Sequence, residues 1–230
     1  MLNALLSGEF DFISVIVYIL SSLAVIFLTL PVHEFAHAFI ADKLGDPTPR
    51  YQRRLTLNPF AHIDYIGALC ILAVGFGWAK PVQVNSYNFK KPKWGMAAVA
   101  FAGPASNLIM AFISLALAKV AETFLVADWI SYVILFFVGI AHINVALAVF
   151  NLIPIPPLDG SRILSAVLPD RIYYKIMQYE QYIYIALMVL LFATDILDGP
   201  IANATYSIIM GFCDILNLTP LWVISWLLLG

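Results

Sequence analysis

The sequence predicts an all-α polytopic membrane protein, and three observations carry that reading. The 230 residues are 62% hydrophobic and only 11% charged, where a soluble domain carries about a quarter charged residues. Several runs reach the ~20 apolar residues that cross a bilayer: Phe12 to Val32, Gly95 to Ala118, and Trp129 to Leu158, the last broken only by His142. Charge is sorted between alternate connections. Lys43, Arg50, Arg53 and Arg54 follow the first run; Lys80, Lys90, Lys91 and Lys93 precede the second; Arg162, Arg171 and Lys175 follow the third. Glu9 and Asp11, then Glu122 and Asp128, then Asp195 and Asp198 occupy the opposite connections. Basic loops stay on the cytoplasmic side, so the expected placement is a plasma (inner) membrane, with the N-terminus outside and loops 43–94 and 159–178 inside. Only Lys119 departs from this pattern, at a helix end where its ammonium can snorkel.

The elements follow in order. The first helix is expected from about Phe12 to Ala41; its start lacks an early Lys or Arg and its apolar stretch is too long for a signal peptide. Residues 43–64 read as a polar cytoplasmic stretch. Ile66 to Ala79 is apolar but short, contains Gly75-Phe76-Gly77 and has basic flanks. A short re-entrant or interfacial segment fits it better than a full span. Helices at about Met96–Ala118 and Ile130–Ile153 cross out and back, and a further crossing is expected at about Tyr182–Thr194. Tyr173, Tyr174, Tyr179, Tyr182 and Tyr184 crowd its basic end, as an interfacial aromatic belt does. The tail from Ile201 is broken by Asp214 and Pro220 and reads as one irregular span or two half-length pieces. The expectation is one domain, 1–230, with five to six membrane segments. Cys70 and Cys213 sit in apolar stretches and read as small hydrophobes.

"LTLPVHEFAHAFIADKLG", Leu28 to Gly45, puts His33, Glu34 and His37 at the end of the first apolar run. Residues four apart share a helix face, so His33 and His37 can present both imidazoles to one point. Glu34, beside them, can reach a water held there. This is the H-E-x-x-H pattern of two zinc ligands and a general base. Counted back from Asp42, it lies ~7–13 Å inside the helix end at ~1.5 Å per residue. An ionisable group at membrane depth costs about 2.5–3.5 kcal/mol on insertion scales, and a divalent cation in a hydrated cavity would offset that. The plain alternative is two histidines gluing helices together. Pro31, just upstream, should bend the helix.

A catalytic zinc takes three protein ligands and keeps a position open. Two residues of the membrane region are candidates for the third. His142 lies ~26 Å along a helix from Asp159 at ~1.5 Å per residue, too deep for the motif, and reads as a polar contact. Asp159 in "NLIPIPPLDG" matches the depth of His33 and His37, after prolines at 154, 156 and 157 that unwind the chain. It reads equally well as a cap for a helix beginning near Ser161.

"HEFAH", "NPFAH" at 58–62, "FGWAKPVQVN" at 76–85, "AGPASN" at 102–107 and "NLIPIPPLDG" at 151–160 occur in this order. The chain thereby resembles the site-2 proteases, intramembrane zinc metalloproteases, and is most similar to their compact prokaryotic branch over residues 20 to 170. The resemblance implies one Zn2+ per chain on His33, His37 and Asp159, Glu34 as the base, and substrate or transition-state contacts for Asn151. It implies a catalytic core at about 12–170, with accessory membrane segments at 178–230. It also implies that the 68–85 region forms an extended, membrane-associated hairpin or loop near the site, so that a short re-entrant or β-hairpin-like element is expected near residues 66–85, able to pair with an unwound substrate strand.

The expected reaction is hydrolysis of a peptide bond within or near the cytoplasmic end of a transmembrane protein substrate. Its oxyanion would be helped by the amide of Asn151 or Asn107, the latter reading equally as packing. His62 reads as a solvated or capping histidine, and Gly103 as a site of close helix packing. The cluster 90–93 reads as an anchor on anionic membrane lipids. No nucleic-acid partner is expected; a homo-oligomer or a regulatory membrane partner stays open. The alternatives are a membrane metal transporter, which would stack further ligands along the membrane normal, and a non-catalytic relative that binds membrane segments.

Overall fold

The computed structural model describes residues 12–74, 77–124, 127, 129–194, 196–221 and 223. Glu9, Asp11, Gly75, Phe76, Asp128, Asp195 and the last seven residues of the tail lie outside them. The first rod is α1 (Phe12–Ala24), a π-helical turn (Val25–Thr29) and α2 (Leu30–Lys43) in unbroken succession. Pro31 has no N–H to give the α-helical ladder. The chain answers with one widened turn, in which the Leu30 amide donates to the Val25 carbonyl five residues back. The Thr29 hydroxyl donates to the same oxygen at 3.1 Å. Pro31 thus acts through a π-turn immediately before the histidines, a feature that recurs at functional sites.

Next come α3 (Thr48–Tyr51), α4 (Tyr65–Val74), α5 (Pro92–Phe124) and α6 (Ile130–Asn151). After them follow α7 (Asp159–Leu164), α8 (Asp170–Met177), α9 (Glu180–Ala193) and α10 (Asp198–Leu216). Among the described residues, three helices are long and apolar enough to cross a membrane: Val15–Lys43, Pro92–Phe124 and Ile130–Asn151. The expected five to six membrane segments are thus supported for three on length and composition. The 14 residues of α9 rise only ~21 Å at ~1.5 Å each, short of the ~30 Å hydrocarbon core. In the tail, α10 stops at Asn217, which turns left-handed with φ of 50°, ahead of Pro220.

α6 is the centre of the bundle. Val138, Ala141 and Val145 pack against Ala111, Leu115 and Ala118 of α5 and against Ile209 and Cys213 of α10. The alanines let the helix backbones approach closely, as small residues do in membranes. Two hydroxyls tie α6 to its neighbours at adjacent carbonyls. Ser114 of α5 donates to Phe137 at 2.9 Å, and Ser21 of α1 donates to Phe136 at 3.0 Å.

The 66–85 region is a helix followed by an extended strap, and no β-hairpin occurs among the described residues. Helix α4 buries Ile71 among Val25, Ile26, Leu30, Ile140, Ile143 and Leu147, while Tyr65, Ile66 and Leu69 stay exposed. It lies at the level of the π-turn, as a re-entrant segment would. The strap 77–85 finds its backbone partners in the loop after α2, which explains why it needs no second strand. Lys80 N–H donates to the His62 carbonyl at 2.8 Å, and the Arg54 guanidinium donates to the Lys80 and Pro81 carbonyls at 2.6 and 3.0 Å. Two glycines permit the crossing. A Cβ on Gly67 would overlap the Trp78 backbone, and one on Gly77 would overlap the Gly67 carbonyl and Ile71.

His62 is fully buried and donates to the Thr56 carbonyl at 2.8 Å, so it is not the solvated histidine expected. The loop folds back along the first rod, bringing the Phe60 ring to 6.3 Å from Phe27. Burial also holds the His62 imidazole below its usual pKa.

Asp46, fully buried, fastens the far end of the strap. Its carboxylate accepts from the Asn85 N–H and the Asn88 amide, both at 2.7 Å, and from the Thr48 hydroxyl at 2.5 Å. Burial alone would raise its pKa, but these donors, led by Thr48 and Asn88, hold it below the usual value. A depressed carboxylate contributes stability above its unfolded pKa and loses it as pH falls through the folded one. We therefore expect exchange of the Asn85 amide hydrogen to accelerate as pH drops below ~4, after correction for intrinsic rates. Asp46→Asn should show the accelerated exchange already at pH 7.

Candidate metal centre

His33, Glu34 and His37 are all buried in α2. Asp159 reaches them because α6 cannot run past its end. Pro154, Pro156 and Pro157 deny the helix both N–H groups and space, and the chain reverses so tightly that a Cβ on Gly160 would overlap the Leu152 and Ile153 carbonyls. Asp159 opens α7 behind Leu158, which holds the N-cap position. Its Oδ2 lies 3.5 Å from His33 Nε2 and 3.4 Å from His37 Nε2. The capping alternative is thereby excluded in favour of convergence.

The two Nε2 atoms stand 3.0 Å apart. Ligands at ~2.0–2.1 Å around a tetrahedral zinc would sit ~3.3 Å from one another, so all three edges of this triangle match one face of such a tetrahedron. Tautomer fixing agrees. His37 Nδ1–H donates to the Val99 carbonyl at 2.8 Å, which leaves the Nε2 lone pair aimed at the centre. Pro104 offers no N–H to the Ala100 carbonyl, and this gap in the α5 ladder lies beside the carbonyl that accepts the bond. Gly103 completes the fit. A Cβ there would collide with both imidazoles, so the "AGP" glycine is a clearance for the histidines rather than only a helix-packing residue. The residues present fit a zinc ion bound by three ligands with one position open.

Glu34 turns its Oε2 to the Val82 N–H of the strap, at 3.0 Å. A cavity of about 470 Å³ opens over the triad and is walled by α2, the strap, α5, α6, α7 and α9. Asn151 lines it, with Nδ2 donating to the Leu147 carbonyl at 3.0 Å. Asn107 does not line it. It is buried with neither side-chain polar atom paired among the described residues, one turn beyond Gly103. His142 is half-buried, and the polar contact expected for it is not found among the described residues.

Sequence reasoning missed the strap's grip on Glu34 and the Val99 carbonyl, because main-chain groups leave no mark in a sequence. It also missed the wall formed by Glu180, Tyr184 and Met188 of α9. Their spacing of four puts them on one helix face, and that signal was present in the sequence.

A family model for "Peptidase family M50" matches residues 120–194, which include Asn151 and Asp159. YwhC of Bacillus subtilis is 42% identical over 180 residues, which is 75% of this chain and 82% of that protein. The chain belongs to peptidase family M50. The site-2 protease resemblance read from its motifs is thus borne out. Two further relatives of this M50 chain are Rip2 of Mycolicibacterium smegmatis and MJ0611 of Methanocaldococcus jannaschii. Rip2 is 31% identical over 175 residues, 71% of this chain and 63% of that protein; MJ0611 is 31% identical over 158, 66% and 72%. All three bear the name "Putative zinc metalloprotease". No solved structure matches the chain.

Because a methyl at Gly103 would displace the imidazoles, Gly103→Ala should weaken metal binding by ~10–100-fold, the range for supporting-shell changes. Zinc titration of the purified, folded variant against wild type measures this.

Proposed function

We propose that this M50 chain is a zinc-dependent intramembrane endopeptidase that cuts a transmembrane protein substrate within or near the cytoplasmic end of its span. One observation carries the reading: a H-E-x-x-H helix long enough to cross a bilayer shares a single cavity with a carboxylate from a distant segment. His33, His37 and Asp159 would hold the ion. When bound, zinc lowers the pKa of a water toward ~7 and polarises a carbonyl.

The remaining work falls to the chain's own groups. Glu34 takes the proton of the attacking water and then delivers it to the leaving amide nitrogen. The Val82 N–H occupies Oε2, so the other carboxylate oxygen is the one free to carry that proton. Asn151 has one amide hydrogen committed to Leu147 and a second to offer the developing oxyanion. The sequence also put forward Asn107 for that task; its place off the cavity wall favours Asn151. A substrate helix hides its carbonyls in hydrogen bonds, so cleavage requires a locally unwound stretch, and the cavity beside the strap accommodates an extended segment. The basic loops place this end of the bundle in the cytoplasm. Against the transporter alternative, the described residues contain one three-residue group able to hold a metal and no ladder of them.

The decisive measurement uses purified protein and a model membrane-span substrate. Glu34→Gln should lower cleavage by at least ~10²-fold while zinc content stays near one per chain, and Asp159→Ala should lose the zinc. Undiminished cleavage by the Glu34 variant eliminates it as the base. Metal flux into liposomes, unaffected by that variant, would favour transport instead.

A further inference from the structure

A second cavity, of about 420 Å³, lies on the outer side of the strap, away from the triad. Its wall carries Arg53, Arg54 and Lys80, with Gln52 and Gln83, and no carboxylate among its lining residues. Of these cations only Arg54 is occupied, by the Lys80 and Pro81 carbonyls, which carry no net charge to offset its own. Arg53 and Lys80 have no acidic partner among the described residues. Arg53 is moreover held at φ of 55°, a left-handed conformation that a non-glycine residue adopts only under constraint from its surroundings. The Gln52 amide donates to Gln83 at 3.1 Å, bridging the loop to the strap across the cavity.

The lower edge of this cavity is apolar. Phe60 is 76% exposed and lies edge-on to Phe27, itself 41% exposed. Phe27 is seven residues before Glu34 on the same rod, about 10 Å nearer its start at ~1.5 Å per residue. The strap's Val82 sits at the level of Glu34. The site therefore has three cations at the level of the catalytic base and a pair of lipid-accessible aromatic rings roughly 10 Å deeper.

We propose that this cavity binds the phosphodiester headgroup of an anionic membrane lipid, with the acyl chain lying along Phe60 and Phe27. Arginine and lysine together supply the donors a phosphate oxygen cluster takes, and basic recesses at the membrane interface select anionic headgroups. A soluble phosphate would use the cations but has nothing to place against the rings. The lipid would also act on the metal centre. Lys80, Pro81 and Gln83 line the site on either side of Val82, whose N–H holds Glu34, so a headgroup that fixes Lys80 fixes the donor of the base. This last step rests on the proposed function; the binding itself does not.

The test is retention of phosphatidylglycerol against phosphatidylcholine by the purified full chain through delipidation, read by native mass spectrometry. Wild type should retain phosphatidylglycerol several-fold over phosphatidylcholine, and the Arg53→Gln, Lys80→Gln variant should lose that preference. Lys80 is exposed, so Lys80→Gln alone keeps the fold and should lose part of the preference. Lys175→Gln, at an exposed lysine elsewhere, should leave it intact. Equal retention of both lipids by wild type, or an unchanged preference in the double variant, overturns the proposal. Thermal protection by inorganic phosphate that the double variant abolishes, without any lipid preference, likewise overturns it and makes free phosphate the ligand. In vesicles, phosphatidylglycerol should raise cleavage several-fold for wild type and not for the double variant, with cleavage in phosphatidylcholine equal for both. Absence of cleavage in every lipid strikes the proposed function and leaves the retention result standing.

Discussion

Two imidazole nitrogens, each with a lone pair to place, are held 3.0 Å apart with a carboxylate oxygen about as close to both. Three acceptors at such distances repel unless a proton or a cation lies among them. The two imidazoles are buried in the bundle and cannot turn outward to water. The remainder of the molecule can be understood as scaffolding for this repulsive cluster: a helix that supplies two members, a broken helix that supplies the third, and a covering strap that limits access.

Each part of the scaffold trades regularity for proximity. The π-turn before the histidines, the proline inside α5 and the proline run after α6 all interrupt backbone ladders within or next to the cavity wall. Such interruptions are tolerated in membranes only where protein or a watered cavity satisfies the freed groups. Here side chains bond carbonyls beside the interruptions: the Thr29 hydroxyl donates to Val25, which also takes the Leu30 N–H, and the His37 ring donates to Val99, next to the Ala100 carbonyl that Pro104 leaves without its helical donor. Glycine plays the complementary part. At 67, 77, 103 and 160 the backbone passes so near another group that no side chain fits, and three of these glycines, 77, 103 and 160, fall inside the quoted motifs although they carry no chemistry.

The sequence pointed to the group that the structure brings together because its chemistry is written in side chains: the spacing marked His33 and His37 with Glu34 beside them, while the depth of Asp159 left a helix cap equally open and the family resemblance supplied its ligand role. The long helices were legible from uninterrupted apolar runs. What was not legible came from main-chain geometry. The hairpin reading of the 66–85 element came from the family resemblance; the partners that take the place of a second strand are the Arg54 guanidinium, which donates to the strap, and the Asp46 carboxylate, which accepts from it, both distant in sequence. His62 read as solvated or capping because it falls in a loop between apolar runs; it does close the turn at Pro59–Ala61, but the loop carrying it folds back onto the rod and buries it. Apolar composition likewise did not reveal that α9 is only 14 residues long.

The hydrogen bond from Val82 to Glu34 comes from an amide of the polypeptide itself. Exchanging the valine for nearly any other residue leaves that donor in place; proline alone deletes it. Position 82 can therefore vary freely in a set of sequences, or survive an alanine scan, while still orienting the proton carrier. Its importance is registered in the path of the strap, and hence in the anchors at both ends, rather than in the identity of the residue that makes the contact.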